Sequence, residues 1–176
     1  MQSDSLTLYK LIILYILNKV DFPLTNAQIT NFILDREYTN YFTLQQAISE
    51  IKDAELIISE TIRNSSYFKI TDAGRETLHF FEADIAEGIK SDINSYLKEN
   101  KYHLRQEVSI LADYYEDKKN EFLTRCFVRE QGSKIVEISL NVSTEEEASK
   151  ICDNWKKKSQ EIYAFLIKTL LLDENQ

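Results

Sequence analysis

Apolar residues recur at helical spacing from the start of the chain. Leu6, Tyr9, Ile13, Ile16 and Leu17 predict a helix over about residues 5–19, with Asp4 or Ser5 able to cap it. The stretch 21–24, which holds the one proline, stops it. Thr25-Asn26-Ala27-Gln28 then reads as a capping box, with Leu24 and Ile29 placed as a hydrophobic staple, and Ile29, Phe32 and Ile33 carry a second helix to about Asp35. Thr43 and Gln46 read as another capping box. The helix they open puts Leu44, Ala47, Ile48 and Ile51 on one stripe and turns Tyr41, Gln45, Gln46, Ser49 and Lys52 the other way.

Helical periodicity then stops. Leu56, Ile57, Ile58 and Ile62, a turn at Asn64-Ser65-Ser66, and Tyr67-Phe68-Lys69-Ile70 predict a hairpin. A hairpin directly after three short helices is the element order of a winged helix-turn-helix. Thr71 or Asp72 can cap a fourth helix, expected to be long because Leu78, Phe81, Ile85, Ile89, Ile93 and Leu97 lie three or four residues apart, close to a heptad seam, with Gly88 in its middle.

From His103 the period reads as two. Leu104, Val108, Ile110 and Ala112 predict one strand, residues 122–129 a second, and Val136, Ile138, Leu140 and Val142 a third, with turns at 116–121 and 131–133. Ser143 or Thr144 caps a last helix that is acidic at its start and carries Ala148, Cys152, Trp155, Ser159, Ile162 and Leu166 on one stripe. The expected class is α+β, in three parts. A winged-helix domain spans 1–75, a connecting or dimerisation helix 76–98, and an antiparallel three-stranded meander with a long C-terminal helix 99–176, serving for sensing or dimerisation.

Composition narrows the chemistry. Three Gly and one Pro leave no glycine-rich phosphate loop, and a net charge of −8 excludes a protein that coats nucleic acid by bulk positive charge. Cys126 and Cys152 form no CxxC pair, so neither zinc nor a disulfide framework is expected and a reducing cytoplasm fits. The apolar runs 11–17 and 162–172 are too short to span a bilayer, so no membrane partner is expected. His79 and His103 have no evident partner group, Glu145, Glu146 and Glu147 suit the helix dipole, and Lys156, Lys157 and Lys158 suit a solvated face. No enzyme activity, catalytic residue, metal or cofactor is expected.

The remaining chemistry is that of a nucleic-acid reader. The helix at 43–52 would enter a major groove with Tyr41, Thr43, Gln45, Gln46, Ser49 and Lys52, and the wing at 63–67 would bring Arg63 and Asn64 to a phosphate or minor groove. A glutamine amide pairs bidentately with adenine N6 and N7, and hydroxyls bond phosphates or base edges. Residues 1–75 carry 7 Lys/Arg against 9 Asp/Glu. Non-specific affinity is therefore expected to be weak, so binding would need specific contacts and two copies on a pseudo-palindromic double-stranded site. The expected function is a homodimeric transcription regulator with room for a small-molecule or protein effector. The alternative is a winged-helix protein-interaction adaptor that docks a partner through Tyr38, Tyr41 and Phe42.

Several stretches resemble a known family. Leu8-Tyr9-Lys10-Leu11-Ile12-Ile13-Leu14-Tyr15, Asp21-Phe22-Pro23-Leu24-Thr25-Asn26, Tyr38-Thr39-Asn40-Tyr41-Phe42-Thr43-Leu44-Gln45-Gln46, Thr71-Asp72-Ala73-Gly74-Arg75, Cys152-Asp153-Asn154-Trp155-Lys156 and Gln160-Glu161-Ile162-Tyr163 are similar to an uncharacterised winged-helix family of Gram-positive bacteria catalogued as a domain of unknown function. The resemblance covers nearly the whole chain and implies a fold but no activity. More loosely, residues 5–97 resemble PadR and MarR transcription regulators, in which a winged helix is joined to a dimerising helix. The acidic balance departs from the basic face of those regulators.

Overall fold

The apolar run 11–17 lies in helix α1 (Gln2–Asn18), and all seven of its residues are buried. A helix buried on every side needs partners all round it. The computed structural model, which describes residues 2–172, supplies them from β3 (Ser65–Ile70), α3 (Tyr41–Asp53) and α4 (Asp72–Phe81). The helix starts earlier than expected, so Asp4 and Ser5 fall inside it and not before its first turn.

The described residues form six α-helices and two three-stranded antiparallel sheets, and the chain divides into two units, Met1–Val108 and Ser109–Gln176. In the first unit a short strand β1 (Leu24–Thr25) precedes α2 (Asn26–Asp35), and β2 (Ile57–Ile62) follows α3. The sheet order is β1-β3-β2, with Leu24 opposite Phe68 and Ile57 opposite Ile70. Leu24, Ile29, Phe32, Ile33, Leu44, Ile48, Ile51, Phe68 and Ile70 meet α1 in one core.

The capping boxes are resolved unequally. At α2, Gln28 N donates to Thr25 Oγ1 and Thr25 N donates to Gln28 Oε1, so both halves of the box form. At α3 the cap is Asn40, whose Oδ1 accepts from Thr43 N at 3.0 Å. Thr43 is the third helical residue. Asn40 holds the extended backbone a cap requires, which lets Tyr41 and Phe42 join the helix.

Residues 72–109 correct the expected long helix. α4 ends at Phe81, a 3₁₀ turn covers Glu82–Asp84, Ile85 is extended, and α5 (Glu87–Ser109) begins anew. Across the interruption Leu78, Ile85, Ile93 and Leu97 all enter the core of this unit. The acids Glu82, Asp84 and Glu87 stand at the new helix starts, where the dipole favours them. Gly88 is thus in a first turn, not mid-helix.

The expected strand at 104–112 is also corrected. Leu104 and Val108 are one helical turn apart on α5, both buried, and β4 begins at Ile110 (Ile110–Lys118). In the second unit β4, β5 (Glu121–Glu130) and β6 (Ser133–Val142) form the meander in sequential order, and α6 (Glu145–Leu171) lies against it. Thr144 caps α6 in a box with Glu147. Ala112, Cys126, Cys152 and Trp155 form the core of this unit, and Trp155 Nε1 donates to the Phe127 carbonyl at 3.3 Å. Both cysteines are free thiols; a hydrogen bond with Cys152, together with burial, pushes the Cys126 thiol up.

Candidate nucleic-acid interface

α3 is amphipathic in the sense its sequence predicts. Leu44, Ala47, Ile48 and Ile51 are buried, while Phe42, Gln46, Ser49 and Lys52 are exposed, one turn after another along the outer side. Phe42 is 83% exposed, and its ring meets that of Tyr41 edge-on at 5.9 Å. The pair is thus presented to solvent at the helix start.

The two neighbouring glutamines part company. Asn26 Nδ2 donates to Gln45 Oε1 at 3.2 Å, and Gln45 Nε2 donates to Asn26 Oδ1 at 3.1 Å and to Thr30 Oγ1 at 3.4 Å. Gln45 thereby ties α3 to α2. Gln46 is exposed and donates to Glu50 Oε1 at 2.9 Å; Glu50 in turn pairs with Lys10 of α1. The lysine first, and then the glutamine amide, hold the Glu50 carboxyl below its usual range. Its charge is thus compensated inside the protein.

Other contacts fix the angle of α2 and α3. Gln28 Nε2 reaches Glu107 Oε2 at 2.7 Å and the Leu104 carbonyl at 3.3 Å, joining α2 to α5. The Tyr38 hydroxyl donates to Asp92 at 2.6 Å, and Arg36 lies over the rings of Phe32 and Tyr96. Burial first, then Asp92, push the Tyr38 pKa up to about 12. Tyr38 is therefore engaged within the unit, whereas Tyr41 and Phe42 are presented outward.

The hairpin turn is two residues long, Arg63 and Asn64, both left-handed with φ of 45° and 65°. This is the backbone of a tight hairpin turn in which Asn is at ease and an Arg is not. Between the hairpin and the end of α3 lies an open groove of about 520 Å³ lined by Lys52, Glu55, Ile57, Ile58, Ser59 and Thr71. Of the residues expected to contact DNA, the structure brings Tyr41, Thr43, Gln46, Ser49 and Lys52 together on α3, uses Gln45 as a brace, and places Arg63 and Asn64 at the hairpin tip.

Sequence reading missed Asn26, Thr30 and Lys10, because their partners are far along the chain, and Asn40, whose signal was an Asn directly before the helix. The segment Thr71-Asp72-Ala73-Gly74-Arg75 has a structural explanation. Thr71 caps α4, its hydroxyl donates to the Glu55 carbonyl at 2.7 Å, and Arg75 reaches Asn18 at 3.2 Å. Among the described residues no group of three His, Cys, Asp or Glu could hold a metal ion, and no helix is long and apolar enough to cross a membrane.

The model of a family described as Domain of unknown function (DUF4364) matches residues 9–170. No curated protein and no solved structure matches the chain.

Proposed function

The chain belongs to the family described as Domain of unknown function (DUF4364), and we propose that this member is a sequence-specific DNA-binding transcription regulator acting as a homodimer, with residues 1–75 as a winged helix. The observation that carries the reading is the outward stripe of α3, in which an aromatic ring, an amide, a hydroxyl and an ammonium follow one another on a helix braced from behind. The order β1-β3-β2, with α2 and α3 between the first two strands in sequence, supports the winged-helix assignment.

In this reading α3 enters the major groove and Gln46, not Gln45, offers its amide to an adenine. Ser49 and Lys52 lie further along the same side, and Tyr41 and Thr43 sit at the helix start, where backbone N–H groups favour phosphate. Arg63 keeps a left-handed backbone that costs an ordinary residue about 1–2 kcal/mol. That cost is offset where a guanidinium at the hairpin tip meets a phosphate or a minor groove.

The exposure of Phe42 also favours a second reading, an adaptor that docks a protein through Tyr41 and Phe42. Fluorescence anisotropy with duplex fragments from the protein's own gene neighbourhood separates the two. Sequence-selective binding that weakens in Gln46→Ala and Arg63→Ala supports the regulator. Absence of selective binding by a folded, dimeric protein supports the adaptor.

A further inference from the structure

Helix α6 uses only part of its length against its own sheet. Ala148, Cys152, Trp155 and Ser159 are buried there, but the helix runs on for three more turns. In those turns Phe165 is 65%, Leu170 77% and Leu171 72% exposed, with Tyr163, Ile167 and Leu172 also exposed. Between residues 162 and 172 the polar side chains are those of Lys168 and Thr169, besides the Tyr163 hydroxyl. A helix that exposes so many large apolar residues in water is more stable when something covers them.

Tyr163, Ile167, Leu170 and Leu171 share one face of the helix and, at ~200 Å² for each fully exposed large apolar residue, present roughly 450 Å² there, the size of the largest apolar patch on a typical monomer, which is often a functional surface. We propose that this end of α6 is covered by the same segment of a second copy, running antiparallel to it. Glu161 and Asp173 bracket a stretch with no acid, so within the segment no carboxylate of one copy faces a carboxylate of the other.

Charge also selects the direction. Lys156, Lys157 and Lys158 precede the segment, and Lys158 already pairs with Glu161 at 2.9 Å. After it come the negative end of the helix dipole and, in sequence, Asp173 and Glu174. Antiparallel pairing keeps the two lysine runs apart and opposes the helix dipoles, whereas parallel pairing sets lysines beside lysines and aligns the dipoles. The expected seam at residues 78–97 is not available for this purpose, because Leu78, Ile85, Ile93 and Leu97 are buried in their own unit.

This inference deepens the homodimer part of the proposed function and is independent of whether α3 reads DNA. Sedimentation velocity of the full chain at micromolar concentration should give the mass of a dimer, and Leu170→Glu/Leu171→Glu should reduce it to that of one chain while the buried Trp155 keeps its fluorescence. A wild-type monomer, a variant that stays dimeric, or a wild-type monomer that instead sediments with phosphatidylcholine vesicles overturns the proposal.

Direction is read without disruptive charges by a short bismaleimide on Ile167→Cys and Leu171→Cys, since the native thiols are buried. Antiparallel pairing about the middle of the segment gives strong crosslinking at 167 and several-fold less at 171, whose two copies lie ~12 Å apart along the axis. Equal yields at both positions overturn it. A dimer that fails to bind DNA refutes the DNA reading alone, a Leu170→Glu/Leu171→Glu variant that stays dimeric refutes this interface alone, and a wild-type monomer refutes the interface together with the homodimer part of the proposed function.

Discussion

Gln45 and Asn26 exchange two side-chain hydrogen bonds, at 3.1 and 3.2 Å, and so join α3 to α2 by a reciprocal amide pair. The next residue, Gln46, lies on the open side of α3. Adjacent glutamines therefore have separable roles. Gln45→Ala leaves Asn26 without that partner and should destabilise the fold by about 1 kcal/mol in urea denaturation. Gln46→Ala should change stability by less than ~0.5 kcal/mol and weaken binding to a selected duplex by about 1–3 kcal/mol. Equal effects of both variants on stability would contradict this division.

Gly74 marks where α4 meets the backbone after α3. A Cβ at residue 74 would lie 2.1 Å from the Leu56 carbonyl oxygen, the same oxygen that accepts from Thr71 N at 3.1 Å. Gly74→Ala should cost about 1–3 kcal/mol. Gly88 has open space around it, in the first turn of α5, and Gly88→Ala should leave stability unchanged or raise it by up to ~1 kcal/mol. Thermal unfolding of the two variants side by side checks the contrast.

Much of this was legible in the chain, and the failures share a cause. Thr25 and Gln28 cap one another across three residues, so a local pattern carries the whole interaction. The buried stripe of α3 is local in the same way. The tie between Gln45 and Asn26 spans nineteen residues and leaves no periodic signal. The break after Phe81 was hidden because the spacing of Leu78, Ile85, Ile93 and Leu97 continues across it, and the acids at 82, 84 and 87 were its only mark. At Leu104 and Val108 a spacing of four, which belongs to a helix, runs without a break into the spacing of two that begins at Ile110.

Phe42 sits one turn before Gln46, so in the proposed complex, where the amide would read an adenine, a thymine methyl would be the natural partner for its ring. Replacing thymine by uracil at that position removes one methyl, worth ~0.8 kcal/mol when buried. Anisotropy titrations should show a loss of about fourfold with the wild type and none with Phe42→Ala. The same loss in both proteins would place Phe42 away from that base.

Tyr38 gives the fold an alkaline limit. Its pKa is raised from 10.0 to about 12, by burial and then by the hydrogen bond to Asp92. A folded-state pKa above the unfolded one contributes stability that is complete below pH 10.0 and is lost as the pH rises through about 12. Tyr38→Phe should thus be less stable than wild type by about 1 kcal/mol at neutral pH, with the gap closing above pH 10.0 in urea titrations. A gap that stays constant through that range would contradict the assignment.

The most direct test of the central claim is selection of binding sites from a random duplex pool by the full-length protein. Enrichment of a pseudo-palindrome whose half-sites are centred ~34 Å apart, one helical turn, is expected, and loss of that enrichment in Gln46→Ala. A folded, dimeric protein that enriches no sequence would contradict it.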